Sequence, residues 1–351
     1  MAETSNVTFA QVLSELESGR HLNGDTARRV FDAILAGEWR PAQIAGLLVA
    51  VRLSGETPEI VCAAARAMRA KMVSVDHSLP LVFDTCGTGG DGQGTINVST
   101  GAALIVAGAG VPVAKHGNRA ASSRSGSADV LGALGIPLDV LPSAQGELLT
   151  RNNIAFLFAP AHHPAMKHAG PVRGELGVRT IFNVLGPLAN PARATHQLIG
   201  AFSDAVRGLM AQALRELGIR SAWVVHSEDG LDEVSPHAAT RVSVVSADGV
   251  REWQVSPEDF GIARSPQGSL AGGDPEHNAT VLRQVLAGQP HPARAALVLN
   301  AAASLAIARG VELRAAARLA EAALESGAAL KTLETWRTLS LASSAAAKAA
   351  Q

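Results

Sequence analysis

A chain of 351 residues is longer than a single hydrophobic core usually serves, so two domains are expected. Its 30 basic and 31 acidic residues leave a net charge of -1, which excludes a global field for nucleic acid or an anionic membrane and means that any anionic ligand is held locally. Hydrophobic residues at 47% with 17% charged residues exclude a disordered chain, and two cysteines, Cys62 and Cys86, provide neither a disulfide framework nor a CxxC metal site, which fits a reducing cytoplasm.

The N-terminus lacks the basic start and apolar run of a secretion signal, and Thr8 reads as a helix cap. From Phe9 to Met72 apolar residues recur at helical spacing in blocks (Val12, Leu13, Leu16; Val30, Ile34, Leu35; Ile44, Leu47, Leu48, Val51), which predicts a bundle of about four short helices. From Leu81 the pattern becomes a strand (LVFD), a glycine loop, a helix from Val98 to Gly108, a strand (VPVAKH), a second loop and a helix from Ala128 to Leu134. Strands follow at Ile154 to Phe158, His196 to Phe202, Ala222 to His226 and Arg241 to Val245. Helices follow at Ala205 to Leu217, Asp274 to Leu286, Arg294 to Arg309 and Val311 to Gly327. This alternation predicts an α/β fold with a mostly parallel central sheet beside a small helical domain.

The stretch from Pro164 to Pro191 is helical and interrupts the alternation. The expected organisation is therefore a helical domain over 1–75, rejoined by 164–192, and an α/β domain over 76–163 and 193–351. The apolar run from Ala102 to Ala114 contains Gly108, Gly110 and Pro112 and falls short of the roughly 20 residues that span a bilayer, so no membrane segment is expected. The tail from Ser343 is expected to fray.

The densest signal is the loop from Asp84 to Thr95, DTCGTGGDGQGT, directly after an apolar strand. It satisfies GxGxxG at Gly87, Gly89 and Gly92, but the dinucleotide reading fails in context. The helix opens only near Asn97, and the second strand ends in Lys115-His116 where a ribose needs an acceptor. Such a loop instead presents successive backbone N–H groups to phosphate oxygens, followed by Asn97, Ser99 and Thr100 in the first turn of a helix. The second loop, Lys115 to Asp129, holds three cations, four serines and two glycines and is another anion cradle. Two neighbouring cradles at the carboxyl ends of parallel strands imply a ligand with two separated phosphate groups.

Asp232 and Glu233, after the strand AWVVH, are hard oxygen ligands that suit Mg2+ completed by phosphate and water. The cluster His162, His163, His168 has no acid or thiolate at zinc-ligand spacing, and a capping or substrate-lining role is expected. Arg173, Arg179 and Asn183 read, by themselves, as a solvated helix face.

These motifs together resemble the anthranilate phosphoribosyltransferases of tryptophan biosynthesis over nearly the whole chain. GTGGDGxGTxNxST at 87–100, VAKHGNRAASSRSGSAD at 113–129, FLFAPAHHPAMKH at 156–168, VRTIFNVLGPLANPA at 178–192 and DGLDEVS at 229–235 carry the resemblance. It implies a homodimer formed through the helical domains, with no nucleic-acid or membrane partner. By position, Gly87, Gly90, Asp91, Thr95, Asn97, Val98, Ser99 and Thr100 would hold phosphoribosyl diphosphate (PRPP). So would Lys115, His116, Gly117, Asn118, Arg119, Ala120, Ala121, Ser122, Ser123 and Ser127. Ser99, Asp232 and Glu233 would bind Mg2+, two ions per subunit. Gly87, Asn118 and Arg173 would meet anthranilate, with His163 beside the path by which it enters, and Lys115, Asn118 and Arg173 would be the catalytic set. Gly174 after Arg173 and Pro236 to Ala239 after Ser235 depart from the family pattern.

The implied reaction displaces pyrophosphate from ribose C1 by a neutral aromatic amine, so no strong base or nucleophilic triad is required. Its barrier lies in C1–O cleavage, whose developing charge suits fixed N–H groups, Lys115 and Mg2+. The alternatives are a pyrimidine nucleoside phosphorylase-like enzyme, which would need neither the acid pair nor metal, and a non-catalytic nucleic-acid-binding paralogue, which the near-zero net charge disfavours.

Overall fold

Helix starts in the N-terminal bundle follow their caps. In this computed structural model, which describes residues 7–120 and 124–349, α1 (Phe9–Glu17) opens on a reciprocal capping box between Thr8 and Gln11. The Asn23 side chain accepts from Thr26 N at the start of α2 (Gly24–Ala36), while α3 (Pro41–Ser54) and α4 (Pro58–Lys71) begin with proline at the first turn, where its missing N–H costs nothing. Phe31, Ile34, Leu47, Leu48 and Ile60 fill the centre of the bundle.

The remaining elements run β1 (Phe83–Asp84), α5 (Val98–Gly108), β2 (Val113–Gly117), α6 (Ser127–Ala133), α7 (Pro142–Asn152), β3 (Ile154–Phe158), α8 (Ala159–His162), α9 (Gly170–Leu176) and α10 (Phe182–Leu185). Then come β4 (His196–Gly200), α11 (Asp204–Glu216), β5 (Ser221–Ser227), β6 (Thr240–Ser246), β7 (Gly249–Val255), α12 (Pro275–Leu286), α13 (Arg294–Arg309), α14 (Leu313–Glu325) and α15 (Ala328–Ala349). The sheet has seven strands in the order β3-β2-β1-β4-β5-β6-β7. It is parallel from β3 to β5 and antiparallel across β5-β6-β7. Strand order reverses between β1 and β4, and in an open sheet the crevice beyond that point is where ligands bind.

One face of the sheet is covered by α5 and α13, with α14 and α15 packed on those helices, and small residues allow this close approach. A Cβ on Gly101 would meet Leu297 Cδ2 at 2.7 Å, and one on Gly108 would meet Ala329 Cα at 2.8 Å. On the other side, residues of α1–α4, the 169–189 segment, α11 and the buried faces of β4 and β5 form one continuous apolar cluster. No single helix among the described residues is long and apolar enough to cross a membrane.

Helices α7 and α15 were not among the predicted elements, and two further features differ from the sequence reading. The tail does not fray after Ser343: α15 runs to Ala349, because Asp139 accepts from Ser344 Oγ at 2.7 Å and pairs with Lys348 Nζ at 2.8 Å. The second is β7, an edge strand absent from the predicted elements, whose residues Arg251 to Gln254 are all exposed and so lack the apolar alternation of a half-buried strand.

Candidate active site

The crevice beyond β1 and β4 is built on a buried acid. Asp84, at the end of β1, is fully buried; its Oδ1 accepts from His116 N at 3.1 Å and Cys86 N at 3.0 Å, and its Oδ2 from Asn190 Nδ2 at 2.8 Å. Burial pushes its carboxyl up to about 6, against the lowering effect of Asn190, Lys115 and the two N–H donors. Asp84 thereby ties the glycine loop to β2. Asn190 also donates to Ala114 O at 2.8 Å, so one amide fixes both strand ends.

The glycine loop takes a path only glycine follows without strain, with Gly89, Gly90, Gly92 and Gly94 at φ 63, 82, 75 and 62°. Gly87 lies against β4: Thr88 N donates to Gly200 O at 2.8 Å, and a Cβ on Gly87 would stand 3.0 Å from the same oxygen. Thr95 forms a bridge with Ala271. The Asn97 amide is engaged, accepting from Ser125 Oγ and Asn278 Nδ2 and donating to Ser125 O, so it joins the two loops and α12. Val98 and Thr100 are buried in the first turn of α5, and the Thr100 hydroxyl has no hydrogen-bond partner.

Lys115 is buried at the centre, where its ammonium donates to Thr85 Oγ1 and Ser99 Oγ, both at 3.2 Å. In the second loop Gly117 has no room for a side chain, since a Cβ would lie 2.2 Å from Ser127 Oγ. Asn118 is exposed and receives Ser127 Oγ and Ala128 N on its carbonyl, while Arg119 pairs with Asp129 at 3.0 Å. Asp129 also accepts from Ala120 N and Gly126 N, which holds the loop closed on itself. Ala121, Ser122 and Ser123 lie outside the described residues.

Three acids converge opposite Lys115. Glu233 accepts from Ser99 N–H, and its carboxyl is raised by burial and by the charge of Asp232. Asp232 accepts from Gly89 N–H and is raised by burial and by the neighbouring Asp91. Asp91 Oδ2 is buried without a hydrogen-bond partner. Such a group of crowded carboxyls with an orphaned oxygen fits a divalent cation. Mg2+ needs only one or two carboxylates from a protein, because substrate phosphate and water fill the rest of its shell. Ser99 Oγ, although it accepts from Lys115, keeps a second lone pair for such an ion.

His116 and His163 are buried and meet through their Nε2 atoms at 3.2 Å. His116 Nδ1–H donates to Gly186 O at 2.9 Å, which leaves its Nε2 as an acceptor facing His163, whose ring also hydrogen-bonds the backbone of Ala189. Burial first, and mutual repulsion second, push His116 down to about 3, and burial with neighbouring His162 takes His163 down to about 4, so both rings are neutral near pH 7. Arg173, on α9, is half-buried with its guanidinium 5.4 Å from the centre of the Phe182 ring and no carboxylate partner among the described residues. His162 is instead a structural clamp: its ring donates to Val73 O, and Val73 N donates back to His162 O, each at 2.8 Å.

Three contributors escape the sequence reading. Arg179 is no bystander on a solvated face: it packs on the Phe202 ring at 4.2 Å and donates to Gly90 O. Gly200 lets Asp232 approach, for a Cβ there would fall 1.5 Å from Asp232 O. Asn300, fully buried on α13, accepts from Val234 N and donates to Val234 O, fixing the turn that carries the acids. Asn190 and Arg179 both lie in the motif at 178–192, which was a legible signal for each residue; Gly200 and Asn300 had none.

Residues 10–72 match the family model described as glycosyl transferase family, helical bundle domain, and residues 79–330 match glycosyl transferase family, a/b domain. The chain is 48% identical over 327 residues to the anthranilate phosphoribosyltransferase of Azorhizobium caulinodans, covering 93% of this chain and 95% of that protein. It is 47% identical to that of Rhodopseudomonas palustris over 93% of this chain and 96% of the relative. Among solved structures, the Thermus thermophilus anthranilate phosphoribosyltransferase superposes with a TM-score of 0.88 at 44% identity, covering 94% of this chain and 99% of that one. The Saccharomyces cerevisiae enzyme in complex with PRPP and Mg does so with a TM-score of 0.88 at 29% identity, covering 96% and 99%. Its complex with 4-fluoroanthranilate gives 0.88 at 28% identity, covering 97% and 100%. With both segments matched and relatives near half identity over almost its full length, the chain belongs to the anthranilate phosphoribosyltransferase family.

Proposed function

We propose that the protein transfers the phosphoribosyl group of PRPP to the amine of anthranilate, giving N-(5-phosphoribosyl)anthranilate and pyrophosphate for tryptophan synthesis. The observation that carries this reading is the convergence of Asp91, Asp232 and Glu233 on two anion-binding loops around Lys115. The glycine loop and the loop from Lys115 hold the phosphates of PRPP. Asp232, Glu233 and Ser99 would hold Mg2+, two ions in this reading, and the metal when bound would supply charge that offsets that of the leaving pyrophosphate. The amine lone pair forms the N–C1 bond as the C1–O bond breaks, the bonding pair leaves with pyrophosphate, and the proton then lost from the nitrogen passes to pyrophosphate or water. Lys115 stabilises the charge developing on that group, and the backbone N–H groups of the loop do the same. Arg173 takes the anthranilate carboxylate, Asn118 and Gly87 aim the amine at C1, and the neutral His163 lines the approach.

The domain division at 1–75 with 164–192 belongs to the same proposal, with the paired segments at Val73 and His162 as its hinge. A cytoplasmic location suits the two free thiols. A homodimer forms through the bundle, where Val49 and Leu53, one turn apart on α3, are exposed, Leu53 by 82%. Loss of anthranilate fluorescence on mixing with PRPP, dependent on Mg2+, is the expected result. Absence of consumption with both substrates and Mg2+ overturns the assignment. Light scattering at micromolar concentration is expected to give twice the chain mass; a fully active monomer refutes the dimer.

A further inference from the structure

A cavity of about 400 Å³ is lined by Arg28, Arg66, Arg69, Ala70, Met72 and Arg193, none of which belongs to the glycine loops. Arg28 comes from α2, Arg66 and Arg69 from α4, and Arg193 from the segment leading into β4. Four guanidinium groups around one opening repel one another, and little on the protein offsets them. Arg28 pairs with Asp32 at 2.7 Å, whereas Arg66, Arg69 and Arg193 have no carboxylate within ion-pair distance among the described residues. Glu216 offers Arg66 only its backbone carbonyl, while its side chain lies beside the Cys62 thiol. Arg69 is the most enclosed of the set: burial lowers its pKa, Cys62 opposes this, and the charges of Arg66 and Arg193 lower it further.

A second, independent feature is the backbone. Arg193 is one of two non-glycine residues at positive φ among the described residues, at 51°, a conformation that costs about 1–2 kcal/mol for a side chain of this kind. That strained turn brings a fourth arginine, 124 positions beyond Arg69 in sequence, to the same opening, as its place in the cavity wall shows.

We propose that this cavity is a second anion-binding site, for a small molecule carrying a phosphate dianion. Planar guanidinium forks approaching from several directions match a tetrahedral phosphate better than a planar carboxylate, which one or two arginines saturate. The cavity lies within the size range of small-ligand pockets, so it has room for the organic part of a phosphate monoester as well as for the free ion. The site bridges the bundle and the segment that supports the catalytic loops. Arg69 Nε donates to Leu188 O at 2.6 Å and Val75 N to Pro191 O at 3.0 Å, on the same short segment whose Asn190 holds Asp84. An anion shared by Arg66, Arg69 and Arg193 therefore links α4 to the support of the glycine loop.

The test is calorimetric titration of the full chain, with PRPP and Mg2+ present to fill the catalytic loops, using inorganic phosphate in one arm and adenosine monophosphate in the other. The comparison variant is Arg66→Gln with Arg193→Asn. Both side chains are exposed and lie outside the catalytic site, and asparagine tolerates the left-handed turn at 193. Saturable binding in the natural chain that weakens roughly tenfold or more in the variant is expected, since two charge-assisted contacts are lost. Turnover without added phosphate and the melting temperature are expected to stay unchanged. Tighter binding of the nucleotide identifies an ester as the ligand, and tighter binding of phosphate identifies the free ion. No saturable binding of either probe at about 1 mM, or equal binding by the variant, overturns the proposal.

Discussion

Replacing Arg173 by alanine separates substrate recognition from fold stability, because the guanidinium has so few partners. It lies half-buried over Phe182 at 5.4 Å, with no carboxylate partner among the described residues, and burial lowers its pKa. Arg173→Ala gives up a cation–π contact of about 0.5–1 kcal/mol but also removes the cost of holding an unpaired cation out of water. The two terms oppose, so the net change is expected to stay within about 1 kcal/mol, a shift in melting temperature of only about 1 °C for a chain this long. The anthranilate carboxylate, by contrast, loses a charge-assisted contact of about 1.5–3 kcal/mol, which raises the Michaelis constant for anthranilate roughly 10- to 150-fold. Initial rates from anthranilate fluorescence, with each substrate varied against saturating levels of the other, check this. Arg173→Lys, which keeps the charge and loses the fork, is expected to fall between the two. If the PRPP constant rises while that for anthranilate stays put, Arg173 is a phosphate ligand and the reasoning fails.

Gly200→Ala is expected to keep the fold at a cost of about 1–3 kcal/mol and to lower turnover roughly 100-fold, because its Cβ would fall 1.5 Å from Asp232 O and must push the acid pair aside; near-normal kinetics would show that the acids tolerate displacement. Asp91→Asn removes a charge that raises the Asp232 carboxyl, so the metal-free protein is expected to melt higher while more Mg2+ is needed for half-maximal rate; an unchanged Mg2+ requirement would exclude Asp91 from the cation site. For the histidine pair the folded values of about 3 and 4 lie below the ordinary 6.5, so the unfolded chain binds protons first as pH falls. Their contribution to stability is present above pH 6.5 and is lost below it at about 1.4 kcal/mol per pH unit for each ring, until each folded value is reached. Melting curves between pH 7.5 and 5 should therefore fall more steeply for the natural chain than for His163→Asn, and parallel slopes would refute the neutral pair.

The parts of this site legible in the sequence are those where local chemistry leaves few choices. Five glycines in eight residues after a strand announce a backbone that turns left-handed to present N–H groups, and Gly89, Gly90, Gly92 and Gly94 do so. Adjacent acids after a strand end announce Asp232 and Glu233. The bundle was legible because its helices have apolar stripes, whereas α7 (PSAQGELLTRN) has only Leu148 and Leu149 as large buried apolar residues and shows no such stripe. What stayed hidden are contacts made across long separations: Arg179 on Gly90, Asn190 on Asp84, and Ser344 on Asp139, which lie 89, 106 and 205 positions apart. No periodicity or motif spacing encodes such pairs, because they depend on how strands are ordered in the sheet.

The same sheet order explains why the site can hold so many charges of one sign beside two histidines without neutralising itself. The reversal between β1 and β4 brings the turn bearing Asp232 and Glu233 against Gly89 and Ser99, so the acids share one wall with the N–H groups and face the buried ammonium of Lys115. His116, the residue after Lys115, turns the other way, toward Gly186 and His163, where burial keeps it uncharged. A protonated ring there would compete with Arg173 for an incoming carboxylate and repel Lys115. Kept neutral, the pair would, under the proposed function, leave the acids to gather the metal and the diphosphate, and leave Arg173 as the charge that turns the carboxylate of anthranilate away from them. On that proposal the amine ortho to that carboxylate would point toward ribose C1, and direction of attack would follow from where charge is withheld as much as from where it is placed.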